Sequence, residues 1–186
     1  SSGQQGGLRE ELRGFSWSTW VLVAEVAILY SVVFPFEAIE TSFLVTEWGL
    51  SVDYVGWYTS MGTFFGIFSW AWGLCAATPR VLLRCSCLAW VLMVCAFAAF
   101  RWRSAAMPGV AFLAVCAFGL GYSFLSTACW VLIPSTFGRG RDCSSAAVSA
   151  AYVAMSVGML VSNFCAGVLH DCCDYGTVCT WFIVLS

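Results

Sequence analysis

The chain has 186 residues, a net charge of −2, 61% hydrophobic and 10% charged residues, and a mean hydropathy of +0.86. Soluble domains average about 25% charged residues, so the composition excludes an ordinary water-soluble fold and points to a membrane protein. No basic cluster offers a surface to nucleic acid, and no nucleic-acid partner is expected.

Uncharged stretches at 54–79, 105–133 and 143–169 each exceed the roughly 20 apolar residues that cross a hydrocarbon layer of about 30 Å. Nothing alternates as barrel strands do. A helix satisfies its own backbone in lipid, so helices are the expected element. Residues 1–14 form a polar tail, which is disordered unless something ties it down. A first crossing is expected at 15–36, interrupted by Glu25 and kinked or broken by Pro35, which lacks a backbone donor. Further crossings follow at 52–77, 81–100, 107–133 and 144–169. A sixth starts at 176 and stops at 186, too short to span, so the chain reads as a fragment or as a protein with an incomplete last helix. The fold class expected is an all-α polytopic transmembrane bundle, with five full crossings and an incomplete sixth.

Arg9, Arg13, Arg80, Arg84, Arg139 and Arg141 fall on one side of these crossings and Arg101 and Arg103 on the other. The positive-inside rule then puts the N-terminus on the cytoplasm-equivalent side. The opposite side collects Glu47, Asp53, Asp171 and Asp174. Eleven cysteines, an odd count without framework spacing, argue against a disulfide scaffold. The tryptophans nearest the helix ends suit interfacial belts. The deeper ones, Trp70, Trp72, Trp90 and Trp130, suit packing between helices or, as the rarer use, stacking against substrate, pigment or lipid.

Charge inside a bilayer needs a partner or a purpose, which singles out Glu25 near the middle of the first crossing. Glu37 and Glu40 share a face three residues apart, while Glu25 projects about 120° away at roughly 100° per residue. These two are expected solvated, past the membrane edge. The alternative is a broken helix with carboxylates at a binding site, as cation-coupled carriers use. Gly62 and Gly66 form a GxxxG pair with Gly73 beyond it, and Gly119, Gly121 and Gly158 extend the small-residue faces on which membrane helices approach closely. Ser123, Ser126 and Thr127 make a polar stripe on the fourth crossing, and Asn163 is an amide on the fifth. Such groups line a cavity or bond across helices. His170, Asp171, Cys172, Cys173 and Asp174 match no closed zinc spacing and are expected in a surface loop, with no metal. No phosphate loop, nucleophile elbow or dinucleotide fingerprint is present, so no enzyme activity or cofactor is expected beyond bound lipid or pigment.

Several runs together resemble one six-helix half of a major facilitator superfamily carrier. They are Tyr30-Ser-Val-Val-Phe-Pro-Phe36, Phe43-Leu-Val-Thr-Glu-Trp-Gly-Leu-Ser51 and Phe118-Gly-Leu-Gly-Tyr-Ser-Phe-Leu-Ser-Thr-Ala-Cys-Trp130 followed by Pro134. The run looks most like the C-terminal half in the branch that includes lysosomal dipeptide carriers. The resemblance implies that Pro35 marks a helix break, that Tyr30 and Trp130 face a cavity, and that Glu25 couples ions or pairs with an arginine. The family's gate loop carries an acid between glycine and a basic run. Here Gly73-Leu-Cys-Ala-Ala-Thr-Pro-Arg80 keeps Arg80 as the basic remnant and has Ala76 and Ala77 where the acid belongs. Two readings follow: a carrier half, completed by a second half and moving a small solute, or a carrier-derived accessory subunit of a large respiratory or photosynthetic assembly.

Overall fold

A computed structural model describes residues 14–67, 69–75, 78–102, 107–136 and 143–186. The tail through residue 13, Arg103, Arg139, Arg141, Ala76 and Ala77 lie outside the described residues, as does the side chain of Trp70. Among the described residues the regular elements are all helices: α1 Trp17–Trp48, α2 Val52–Ile67, α3 Ser69–Cys75, α4 Pro79–Arg101, α5 Pro108–Ser135, α6 Cys143–Cys172 and α7 Tyr175–Leu185. Four spans are long and apolar enough to cross a bilayer: Trp17–Trp48, Arg80–Arg101, Pro108–Ser135 and Ser145–Cys172. The protein is a multi-pass, all-α membrane bundle. The second expected crossing is described as α2 and α3 on either side of residue 68, and α7 is an 11-residue apolar helix.

The helix ends carry local signals that stop or start them. Ser16 caps α1 by accepting from the Thr19 amide, and Gly49, at φ 64°, closes it by donating to the Leu44 carbonyl. That left-handed φ is why a glycine stands there. Prolines open α4 and α5 at positions whose amides have no helical partner anyway.

One expectation fails. α1 does not stop at Pro35 but continues to Trp48. Proline removes the amide that would bond the Ser31 carbonyl four residues back. In lipid an unpaired carbonyl costs several kcal/mol, so a continuous helix needs a substitute donor. α6 supplies it: the Ser162 hydroxyl donates to the Ser31 carbonyl. Beyond the proline, Phe36 anchors the extension. Its ring meets those of Phe43, Phe97, Phe100, Phe118 and Phe182 at centroid distances between 4.9 and 6.3 Å, joining α1 to α4, α5 and α7.

The helices pair in a regular way. α1 packs along α6, and α2 and α3 pack along α5; α4 packs along α5, and α1 touches α7; α1 also meets α5, and α4 meets α7. α1 also touches α2, and α5 touches α6. Exchanging the unit α1, α2–α3, α4 with the unit α5, α6, α7 carries this set of contacts into itself, except that α6 meets α7 while no contact joins α2 or α3 to α4 among the described residues.

Glycines sit where the main pairs cross. A Cβ on Gly119 would lie 2.7 Å from the Gly62 Cα and carbonyl oxygen, one on Gly121 2.9 Å from the Ala89 carbonyl, and one on Gly158 2.9 Å from the Ala27 carbonyl. These three mark the α5–α2, α5–α4 and α6–α1 crossings. A Cβ on Gly73 would lie 3.4 Å from the Thr127 methyl, an ordinary contact, and one on Gly66 would face open space. The GxxxG pair is therefore split: both glycines border a cavity, but only Gly62 also packs against Gly119. α6 grips α1 with Ala147, Ala151, Gly158, Ser162 and Ala166 and turns Val157, Leu160 and Phe164 outward.

The expected surface loop at 170–174 is partly helical. His170, Asp171 and Cys172 belong to the last turn of α6, and Asp174 caps α7. The Asp174 carboxylate accepts from the Thr177 hydroxyl at 2.8 Å and amide at 2.9 Å, and with Arg101 nearby these hold its pKa below the ordinary carboxylate value. A depressed folded pKa stabilises above the unfolded value, near pH 4, and that contribution disappears as pH falls through the folded one. Thermal melts below about pH 4 should lose this increment in the native protein. Asp174→Asn should lack the corresponding slope, and identical slopes would refute the cap.

Candidate functional site

Polar groups gather at three places inside the bundle. The first joins α1 and α5. The Trp130 indole N–H donates to the Tyr30 hydroxyl at 2.9 Å, and that hydroxyl lies 3.2 Å from the Ser126 hydroxyl. The Tyr122 and Trp130 rings meet Tyr30 edge-on, at 6.2 and 6.4 Å, and Tyr152 of α6 lies on Trp130 at 4.7 Å. Tyr30, Ser126 and Trp130, three residues singled out in the sequence, thus form one connected network.

The rest of the polar stripe has other work. Ser123 donates to the Phe65 carbonyl at 2.9 Å, and the Thr127 hydroxyl is shared between the Ser69 carbonyl at 3.1 Å and the Ser123 carbonyl of its own helix at 2.9 Å. Two hydroxyls one turn apart on α5 therefore meet two carbonyls one turn apart on α2 and α3. That is helix-to-helix bonding. Asn163 is exposed on α6, away from this group, and Arg80 is exposed at the start of α4. Pro35 is buried within the unbroken α1.

The second place is a groove of about 440 Å³ beside Glu25. The Trp90 indole of α4 donates to Glu25 Oε1 at 3.3 Å, and Trp17, Trp20 and Leu185 complete the walls. Glu25 has a tryptophan as its hydrogen-bond partner there. Trp72, another of the deeper tryptophans, stacks on Phe124 at 4.1 Å.

The third place is a cavity of about 560 Å³ between α1, α2 and α5. Its lining shares no residue with the groove beside Glu25. α1 contributes Glu37, Glu40 and Thr41; α2 contributes Thr59, Ser60 and Thr63; α5 contributes Gly119 and the Tyr122 ring. Phe34 and Phe118 add aromatic wall. Glu37 is exposed on the bundle surface, but Glu40, expected to be solvated with it, is only 6% exposed. The Glu40 Oε1 is buried and has no hydrogen-bond partner. Burial of Glu40 follows from α1 continuing through Pro35, which turns its last three turns against α2 and α5.

The α2 hydroxyls have already given up their protons. Thr59 donates to the Val55 carbonyl at 3.1 Å, Ser60 to the Gly56 carbonyl at 2.6 Å, and Thr63 to the Thr59 carbonyl at 3.4 Å. What these side chains have left for a ligand is oxygen lone pairs. No arginine lines the cavity among the described residues, and the chain contains no lysine. Sequence reasoning passed over this hydroxyl row because the glycines of the same helix were read for packing. Its signal was Thr59, Ser60 and Thr63 one turn apart in an otherwise apolar segment. Compared with family models, curated proteins and solved structures, the chain matches none.

Proposed function

We propose that this chain is a carrier-type membrane unit, built from two three-helix repeats, whose α1–α2–α5 cavity is one wall of a path for a small solute. The observation that carries this is the exchange of contacts between the two three-helix units, centred on α1 against α5. If α2 and α3 form one crossing and α7 a sixth, each unit crosses three times, so the second runs inverted relative to the first. Inverted repeats with a polar site at their interface are how many secondary transporters are made. The cavity borders both central helices, α1 and α5. The arginine distribution puts the N-terminus on the cytoplasm-equivalent side. A carrier of this design rocks against a second such unit that closes the path. The resemblance to a major facilitator half supports the same reading.

The outward apolar face of α6, with Leu160 and Phe164 about 70% exposed, favours a second reading as an accessory subunit docked through that face. One measurement separates them: the mass of the native particle in mild detergent, with every chain identified by mass spectrometry. A small particle holding a second six-helix unit, on the same or another polypeptide, is the expected result. A particle of many unrelated subunits at fixed stoichiometry would replace the carrier with the accessory role.

A further inference from the structure

The geometry points to the α1–α2–α5 cavity as a binding site for a small organic cation, a primary ammonium carried on an apolar or aromatic body. It deepens the carrier reading by naming the ligand class, though binding itself does not require transport.

The polar lining is rich in acceptors, with the Thr41 and Tyr122 hydroxyls as its remaining neutral donors and no cationic one among the described residues. Glu37 and Glu40 stand one turn apart on α1, and the hydroxyls of Thr59, Ser60 and Thr63 have donated to their own helix. An anion would meet two carboxylates and no arginine. A neutral ligand without donors would leave Glu40 Oε1 buried and unpaired, as it now stands. An ammonium group brings three donors and the opposing charge, which a carboxylate in this setting needs. The size decides between an ion and a molecule. A cavity of about 560 Å³ is in the range of small-molecule sites, roughly 300–1,000 Å³, and far larger than a bare metal ion requires. Phe34, Phe118 and Tyr122 supply apolar surface and ring faces suited to the body and to the cation.

The test uses the full chain in lipid nanodiscs and three probes of nearly equal shape: benzylamine, benzyl alcohol and benzoate. Isothermal titration should show benzylamine binding at least tenfold more tightly than benzyl alcohol, and no binding of benzoate. Glu40→Gln and Glu37→Gln should each weaken benzylamine tenfold or more, and Asp171→Asn, which removes an exposed acid at the end of α6, should not. If Glu40→Gln does not fold, Glu37→Gln decides. Equal binding of the amine and the alcohol, undiminished binding by Glu37→Gln, or no binding of any probe to the native chain would overturn the site. Binding without amine flux into proteoliposomes would remove the carrier role and leave the site standing. Flux of another solute without benzylamine binding would do the reverse.

Discussion

Gly119→Ala is expected to destabilise the bundle by about 1–3 kcal/mol, the usual range for overpacking. The new methyl would sit 2.7 Å from both the Cα and the carbonyl oxygen of Gly62. Neither atom is the end of a flexible side chain, so the only relief is to part α2 from α5. That movement also opens the cavity that Gly119 borders and pulls Ser123 and Thr127 from the carbonyls they hold. The same crossing supplies its own control. A Cβ on Gly62 points elsewhere and meets only the Val115 methyl at 3.6 Å, and one on Gly66 meets nothing within 4 Å. Gly62→Ala and Gly66→Ala should therefore be close to neutral. Reversible unfolding in detergent or mixed micelles reads all three. Equal losses for Gly119→Ala and Gly62→Ala would show that the helices do not cross as described.

Ser162→Ala is expected to cost about 0.6–1.7 kcal/mol, the upper part of the range measured for hydrogen bonds between membrane helices. The reason is local to Pro35. In an uninterrupted helix the Ser31 carbonyl would bond the amide of residue 35, but proline has none. Without the Ser162 hydroxyl the carbonyl loses its donor from α6. The prediction is sharpest as a double-mutant cycle. In Pro35→Ala the restored amide takes over the Ser31 carbonyl, so Ser162→Ala in that background should cost appreciably less than in the native chain. A coupling energy of zero would break the link between the two residues.

The class of the fold was legible because lipid imposes it. Long uncharged runs have one way to satisfy their backbones, and the spans of α4, α5 and α6 fall close to where composition put them. The course of α1 was not legible. Whether a proline ends a membrane helix depends on a donor from elsewhere, and nothing near residue 35 announces a serine at 162. Glu40, expected in solvent on the helix beyond Pro35, is instead buried beside the α2 and α5 residues that line the same cavity. Tyr30, Ser126 and Trp130 were picked out one by one and are joined in the fold. Ser123 and Thr127, on the same stripe, bond to backbone instead, because one turn of a helix divides a face that sequence spacing treats as single. The glycine faces were visible, but the order of contacts among the glycines was not. A GxxxG pair does not say which of its members meets a neighbour.

The length of α1 has one more consequence. Its 32 residues make a rod of about 48 Å, and an average tilt near 20° shortens its span across the bilayer only to about 45 Å. A hydrocarbon layer of about 30 Å accounts for roughly two thirds of that. If the stretch from Trp17 to Phe36, which holds a single acid, fills the hydrocarbon, the part that emerges is the polar end bearing Glu37, Glu40 and Glu47. The cavity mouth would then stand among phosphates and glycerol esters, neither in the oily middle nor in open water. An amphiphilic amine concentrates in that layer, so it would reach the carboxylates sideways, and the headgroup mixture of the host membrane would help decide how full the cavity is.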